Sequence, residues 1–313
     1  MLRYTLKRLL ATIPVMGVVA LFVFSLLYIS PGDPAAVIAG DIATEADIAR
    51  IRAQLGLDQP YFTRFGTWLL ALAHGDLGTS IFTNLPVSRL IGQRIEPTAA
   101  LTLCTLIVAV GLAVPLGVLA AARAGGWIDR VVMGISVLGF SVPVFVIAYG
   151  LILLFSIQLD WLPVQGYTSI SEGFVPFIRH MILPSIALGL VYMALIARIT
   201  RASMLDVLAQ DYVRTANAKG LAPRAVLTRH ALKNAAVPIV TIIGIGVALL
   251  IGGVVVTETV FAIPGIGRLT VDAILRRDYP IIQGVTLLFS ALYVIVNLLV
   301  DLSYSLFDPR IRY

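Results

Sequence analysis

Chemistry in a protein needs titratable or nucleophilic side chains at workable spacing, and this chain supplies few. His74, His180 and His230 are isolated and form no H-E-x-x-H pattern, so surface or capping roles fit them. The single cysteine, Cys104, has no disulfide partner and no Cys/His spacing around it, so it reads as a small buried hydrophobe and no metal ligand is assigned. Gly134-Ile135-Ser136-Val137-Leu138-Gly139 is not the G-x-S-x-G of a nucleophile elbow, and no histidine stands in an apolar stretch to activate a serine. No G-x-x-x-x-G-K-[ST] phosphate loop occurs; Lys219-Gly220 has the order reversed. The residues describe neither a catalyst nor a nucleotide-binding protein, and no cofactor is expected in this chain.

The elements that would position any working residue are apolar. Hydrophobic residues make up 59% of the chain and charged ones 13%, against roughly 25% charged in a soluble domain. Six stretches approach the roughly 20 apolar residues that a helix needs to cross a bilayer core: Leu9–Ile29, Ala99–Ala122, Val131–Ile157, Met181–Ala197, Val237–Thr257 and Ile281–Val300. They are continuous runs, not the alternating ten-residue segments of a membrane barrel. The expected class is an all-α polytopic membrane protein with six transmembrane helices. Arg3, Lys7 and Arg8 precede the first stretch as they would a signal peptide, but the run is too long and ends in Ser30-Pro31-Gly32-Asp33-Pro34, so it reads as an uncleaved span.

A net charge of +6 need not point to nucleic acid. With the N-terminus inside, cytoplasmic segments collect Arg123, Arg130, Arg198, Arg201, Arg214, Lys219, Arg224, Arg229, Lys233, Arg310 and Arg312, while the short outer loops hold Arg179, Arg268, Arg276 and Arg277. This is the positive-inside pattern, and it places both termini in the cytoplasm. No span has an ionisable residue in its centre; Glu258 and Asp301 fall at span ends, which disfavours a gradient-driven transporter.

Outside the spans, Thr44 and Asp47 predict a capped short helix ending at Gly56, and Tyr61–Ala73 an interfacial helix with Phe62, Phe65, Trp68 and Leu69 at helical spacing. Gly75-Asp76-Leu77-Gly78 and Pro264-Gly265-Ile266-Gly267 mark turns. Ala109, Ala113, Gly117 and Ala121, and again Gly244, Ala248 and Gly252, form small-residue stripes that admit a close helix partner, in this chain or another. Pro143 predicts a kink in the third span, and Ser141, Pro143, Phe145 and Thr241 are candidates for lining a pathway.

The loop Arg201–Ala236 is amphipathic. Leu205, Leu208, Tyr212 and Ala216 recur on one side, with Asp206, Gln210, Arg214 and Asn217 on the other. Gly220 suits a helix C-terminus, and Pro223 prevents simple continuation. The pattern alone fits either a connector drawn to anionic lipid or an element presented to a soluble partner.

Several motifs in order resemble the first permease subunit of binding-protein-dependent ABC importers of the dipeptide, oligopeptide, glutathione and nickel group. They are Pro31-Gly32-Asp33-Pro34, Leu55-Gly56-Leu57-Asp58-Gln59-Pro60, Gly75-Asp76-Leu77-Gly78, Asp211-Tyr212-Val213-Arg214-Thr215-Ala216 running into Ala218-Lys219-Gly220, Arg229-His230-Ala231-Leu232-Lys233-Asn234-Ala235, Phe261-Ala262-Ile263-Pro264-Gly265-Ile266-Gly267-Arg268 and the ending Asp308-Pro309-Arg310-Ile311-Arg312-Tyr313. The resemblance implies a type I importer transmembrane domain at residues 97–305, with coupling loop 201–236. It is preceded by a cytoplasmic tip and first helix at 1–30 and an external region at 31–96, and followed by a cytoplasmic tail at 306–313. It implies a non-catalytic permease in the cell inner membrane that carries peptides, or alternatively a nickel complex. Its partners would be a second homologous permease, two cytoplasmic ATPases that bind ATP and Mg, an external solute-binding protein and membrane lipid. The E-A-A-x-x-x-G signature of such loops places its glycine at Gly220, with Arg214, Thr215 and Ala216 at the opening positions, so its glutamate is replaced here. Tyr212, Arg214, Thr215, Ala216, Asn217, Ala218, Lys219, Gly220 and Leu221 are the implied ATPase-coupling residues. A secondary transporter and a non-transporting membrane scaffold are the competing classes.

Overall fold

A computed structural model describes residues 2–29, 33–40 and 43–307. The Ser30-Pro31-Gly32 part of the first motif and the basic end Arg310 and Arg312 lie outside the described residues. Helices run in the order α1 (Leu2–Ile29), α2 (Pro34–Ala39), α3 (Glu45–Gln54), α4 (Tyr61–Ala73), α5 (Val87–Ala122), α6 (Trp127–Ser141) and α7 (Val144–Leu151), which continues as a π-helix over Ile152–Gln158. Then come α8 (Phe174–Leu208), α9 (Asp211–Ala218), and α10 (Pro223–Ala225), which passes through a π turn into α11 (Leu232–Asn234). The last are α12 (Ala236–Val260), α13 (Ile266–Arg276) and α14 (Tyr279–Phe307). Among the described residues the one β feature is an isolated bridge between Thr79 and Pro86.

By length and composition α1, α5, α8 and α14 can each cross a membrane, and the count reaches six if each of two bent helix pairs is one span. One of these pairs corrects an expectation. The third apolar stretch is not a kinked helix: α6 and the segment from α7 to Gln158 meet at 103°. Proline explains the break, because its ring pushes the preceding residue out of the helical region. Val142 is extended (φ −91°, ψ 127°), and Pro143 becomes the N-cap of α7. The fourth stretch differs too. At 35 residues, α8 is the second longest helix described, and it continues past Arg198 and Arg201 to Leu208.

The chain divides into two compact units, one of Glu96–Gly267 with the chain from Ile295 on, the other of Leu2–Ile95 with Arg268–Val294. In the second unit, Thr44 and Asp47 form the expected reciprocal cap of α3. The hydrogen bonds from Thr44 hold the Asp47 carboxyl below its usual range. Helix α4 has the expected bounds and packs Tyr61, Phe65 and Trp68 around Phe24 of α1 at centroid distances of 5.2–5.3 Å, while Phe62 stays 82% exposed. Asp278 is buried and accepts from Ser80 Oγ at 2.6 Å.

The first unit is built around α8, 61% of whose apolar window is buried against 28% for α5. Small residues let its neighbours come close. A Cβ at Gly117 of α5 would lie 2.7 Å from Thr200 Cβ and 2.8 Å from the Ala197 carbonyl, so this stripe finds its partner within the chain. Gly189 of α8 returns the contact, with Val108 Cγ1 3.1 Å from its hypothetical Cβ. On α12, Gly253 meets Leu188 and Tyr192 of α8, whereas Gly244 meets Val300 and Gly252 faces open space. Of the second stripe, then, Gly244 makes a close contact within the chain and Gly252 does not, while the approach to α8 is made by Gly253 beside it. Helix α6 is tied to α8 by charge: Arg201 grips the Asp129 carboxylate through Nε and through Nη2 at 2.6 Å, and the Gly125 N–H adds a bond at 2.8 Å.

Two outcomes follow from this packing. Gly117→Val should abolish recoverable folded protein, since neither a backbone carbonyl nor a β-branched neighbour can retreat, whereas Gly111→Ala on the same helix, with nothing within 4 Å, should be neutral. Detergent-solubilised yield and thermal unfolding compare them. Asp129→Asn should lower stability by roughly 2 kcal/mol, below the usual cost of breaking a buried pair because Arg201 is partly solvated. A midpoint equal to the parent's would count against the pair as a stabiliser.

Candidate functional site

The amphipathic segment is two helices, not one. Helix α8 ends at Leu208, the chain turns at Ala209 and Gln210 (φ −74°, ψ 147°), and α9 restarts at Asp211. The break resets the helical phase: Ala216 faces inward as expected, but Val213 takes the inward place expected of Tyr212. Val213 and Ala216 are buried at 2% and 7%, and they pack with Val226, Val207 and Leu208. Tyr212, placed on the apolar side by a continuous helix, is instead 42% exposed. Its phenol oxygen accepts from Asn234 Nδ2 at 2.9 Å, and the same amide nitrogen donates to the His230 carbonyl at 2.7 Å. That bond ties α9 to α11, two residues before α12 begins.

The end of α9 follows the expectation closely. Gly220 adopts φ +76°, its N–H donates to the Asn217 carbonyl at 2.9 Å, and the Leu221 N–H reaches back to Ala216 at 3.3 Å. These paired bonds are a Schellman motif, whose left-handed residue suits glycine because a Cβ there crowds the backbone. Ala222 then leads into Pro223 at the first position of α10.

Of the predicted coupling residues, the structure gathers Arg214, Thr215, Asn217, Ala218, Lys219, Gly220 and Leu221 on the exposed side and tip of α9. Ala216 is apart from them, since it seats the helix from beneath. Arg214 is only loosely engaged, 3.5 Å from an exposed Asp211. The outward surface is thus short, polar and cationic, with no carboxylate beyond Asp211 on α9 itself. Sequence reasoning did not single out Asp129, which fixes α8 to α6, or the Asn234 amide, which braces α9 from α11. Their partners lie 72 and 22 residues away, and no local pattern signals them.

The pathway candidates fall in two places. Ser141, Pro143 and Phe145 meet at the α6–α7 break, all exposed, and the Ser141 hydroxyl donates to the Val137 carbonyl at 2.8 Å. A cavity of about 330 Å³ opens there, lined by Ser136, Phe140 and Ser141 of α6 and Ala194, Leu195 and Arg198 of α8. Thr241 stands on α12, half-buried, with its hydroxyl donating to the Val237 carbonyl at 2.7 Å. The histidines have local roles. His74 caps α4 through its N–H and through Nδ1, 2.7 Å from the Leu70 carbonyl, and His180 Nδ1 lies 2.9 Å from the Pro176 carbonyl.

Comparison with known proteins follows the same outline. Residues 113–313 match the family described as binding-protein-dependent transport system inner membrane component, and residues 1–102 match the N-terminal region described for such membrane components. A probable peptide ABC transporter permease protein of Sinorhizobium fredii is 58% identical over 310 residues, covering 99% of each chain. A putative peptide transport system permease protein of Brucella abortus is 44% identical over 98% of each, and the glutathione transport system permease protein GsiC of Salmonella choleraesuis is 44% identical over the full length of both. Among solved structures, a chain of the MetNI methionine ABC transporter in an inward facing conformation superposes with a TM-score of 0.59 at 17% identity, over 71% of this chain and 97% of that one. That likeness shows the fold, the helical transmembrane domain of a type I ABC importer. With family matches that together take in nearly the whole chain and full-length relatives at 44–58% identity, this protein belongs to the inner membrane components of binding-protein-dependent transport systems, as a permease subunit.

Proposed function

We propose that this permease forms, with a second homologous permease, the pathway by which peptides enter the cell, and that α9 is where it receives the motion of cytoplasmic ATPases. The observation that carries the coupling reading is the build of α9: an eight-residue helix seated by Val213 and Ala216, closed by the Gly220 turn and exposing a polar face. A connector needs no such platform. Two ATPase subunits would bind ATP and Mg, and closing of the ATPases would displace α9 as a rigid element. The contact would be made by the Arg214 guanidinium, the Thr215 and Asn217 side chains and the small surface at Ala218 and Gly220, without the signature glutamate. Substrate would arrive from an external solute-binding protein, and both termini would lie in the cytoplasm. Peptide as the substrate class is supported by the Sinorhizobium and Brucella relatives, and glutathione, itself a tripeptide, by the Salmonella one.

The assembly tests this directly. Purified with its neighbouring subunits and reconstituted in vesicles, the protein should bring down an ATPase and take up peptide only when ATP and the binding protein are supplied. Uptake by the chain alone, driven by an ion gradient, would overturn the proposal.

Gly220 offers a finer test. Gly220→Asn should keep most uptake, because asparagine tolerates the left-handed region, while Gly220→Val should lose about 1–2 kcal/mol at that residue and uncouple uptake from ATP hydrolysis with the subunits still assembled. Equal uptake by both variants and the parent would remove the docking role from this turn.

A further inference from the structure

The end of α12 remote from α9 carries a polar hub that neither the family match nor the coupling reading uses. Glu258, two residues before the end of α12, is fully buried. Thr98, near the head of the apolar part of α5, donates its hydroxyl to Glu258 Oε1 at 2.5 Å, and Thr98 Oγ1 in turn accepts the Ile266 N–H at 2.8 Å. The carboxylate occupies the space inside the Pro264-Gly265-Ile266-Gly267 turn. A Cβ on Gly265 would lie 2.0 Å from Oε1, and one on Gly267 would lie 2.9 Å from Oε2. Glycine at 265 leaves room for the carboxylate, and glycine at 267 lets the turn lie against the Val255 backbone, whose Cα would be 2.7 Å from a Cβ there.

A second ring of bonds surrounds the first. Glu96, on the same α5 segment, accepts from Tyr167 Oη at 2.9 Å and Ser169 Oγ at 2.5 Å. Gln165 Nε2 and the Gly166 N–H donate to the Val260 and Phe261 carbonyls at 3.2 and 2.9 Å. Three segments far apart in sequence are fastened here: the α5 head, the 165–169 loop, and the end of α12 with its following turn. Ala262, between α12 and that turn, holds φ +51°, a strained setting for alanine that the surrounding bonds must maintain.

One rod joins this hub to the proposed docking site. Helix α12 starts two residues after Asn234, the partner of Tyr212, and runs 25 residues, about 37 Å, to Val260. Buried ionisable groups in membrane proteins are costly and mark working positions by default. We propose that Glu258 and Thr98 are positioning residues for coupling: they latch the pathway closed at the end of α12 opposite α9, and displacement of α9 releases them. The inference rests on the coupling role proposed for α9.

The test uses the assembled transporter in vesicles, reading ATP hydrolysis with and without binding protein, and peptide taken up per ATP. Thr98→Val keeps the shape and deletes both the donor and the acceptor. Hydrolysis without binding protein should rise at least about fivefold, the low end of coupling between two sites, with uptake per ATP falling by a similar factor. Glu258→Gln should act in the same direction, and Thr98→Ser should restore the parent behaviour. A purely structural staple predicts otherwise: lower thermal midpoints for Thr98→Val and Glu258→Gln with the binding-protein dependence of hydrolysis unchanged, and that result overturns the latch. Parent vesicles whose uptake ignores ATP would instead sink the coupling reading and the latch with it.

Discussion

The constraint on which the larger unit depends is the close approach of α5 and α8. Apolar helices in a membrane gain little from hiding apolar surface from one another, so contact must come from packing at short range. Gly117 against Thr200 and the Ala197 carbonyl, and Gly189 against Val108, supply it from both sides. Once α5 lies along one side of α8, Gly139 of α6 and Gly253 of α12 can reach two others, at Leu190 and at Leu188 with Tyr192. The pieces that do more than pack, α9 and the turn around Glu258, are hung on this framework at opposite ends of α12.

Polar groups are placed sparingly, and the buried carboxylates Asp129, Glu258 and Asp278 are each hydrogen-bonded. Asp129 and Arg201 fix α6 to the polar end of α8, and Asp278 anchors Ser80 in the other unit. Both lie where an unpaired charge would be costly, and both are satisfied by more than one hydrogen bond. The Tyr167 phenol, partly buried and beside the Glu96 carboxylate, is pushed well above its ordinary range and stays a hydrogen-bond donor. Elsewhere the outer surface is apolar, with Leu103, Ile107 and Leu119 of α5 about half exposed or more, as expected of helices that face lipid or another subunit.

What could be read from the sequence were features whose cause is local. The Thr44–Asp47 cap, the bounds of α4 and the left-handed end at Gly220 each follow from a few neighbouring residues. The small stripe on α5 was legible as a contact, though only the fold shows that Thr200 and Ala197 fill it. What could not be read depends on distant partners or on weak local signals. No glycine or proline marks the break at Ala209–Gln210, and without it Tyr212 would lie on the buried side. Pro143 announced a disturbance, but 103° depends on what α6 and α7 each pack against, chiefly α8. The Asp129–Arg201 pair and the Glu258 hub join residues 72 and 160 apart, beyond any periodicity.

The uninterrupted run of α8 has a geometric consequence. Its 35 residues span about 52 Å, well beyond a hydrocarbon core of about 30 Å, and α9 is attached at its end as on a stalk. On such a stalk, height and bearing are set by the same integer. Each residue added or removed between Arg201 and Leu208 changes the reach by about 1.5 Å and swings the attachment of α9 by about 100°. A change of about seven residues brings the direction back to within about 20° but moves the attachment by about 10 Å, so no short insertion or deletion keeps both direction and seat. Side chains on the exposed face of this stalk can change one by one, whereas its residue count is fixed by the pitch of the helix.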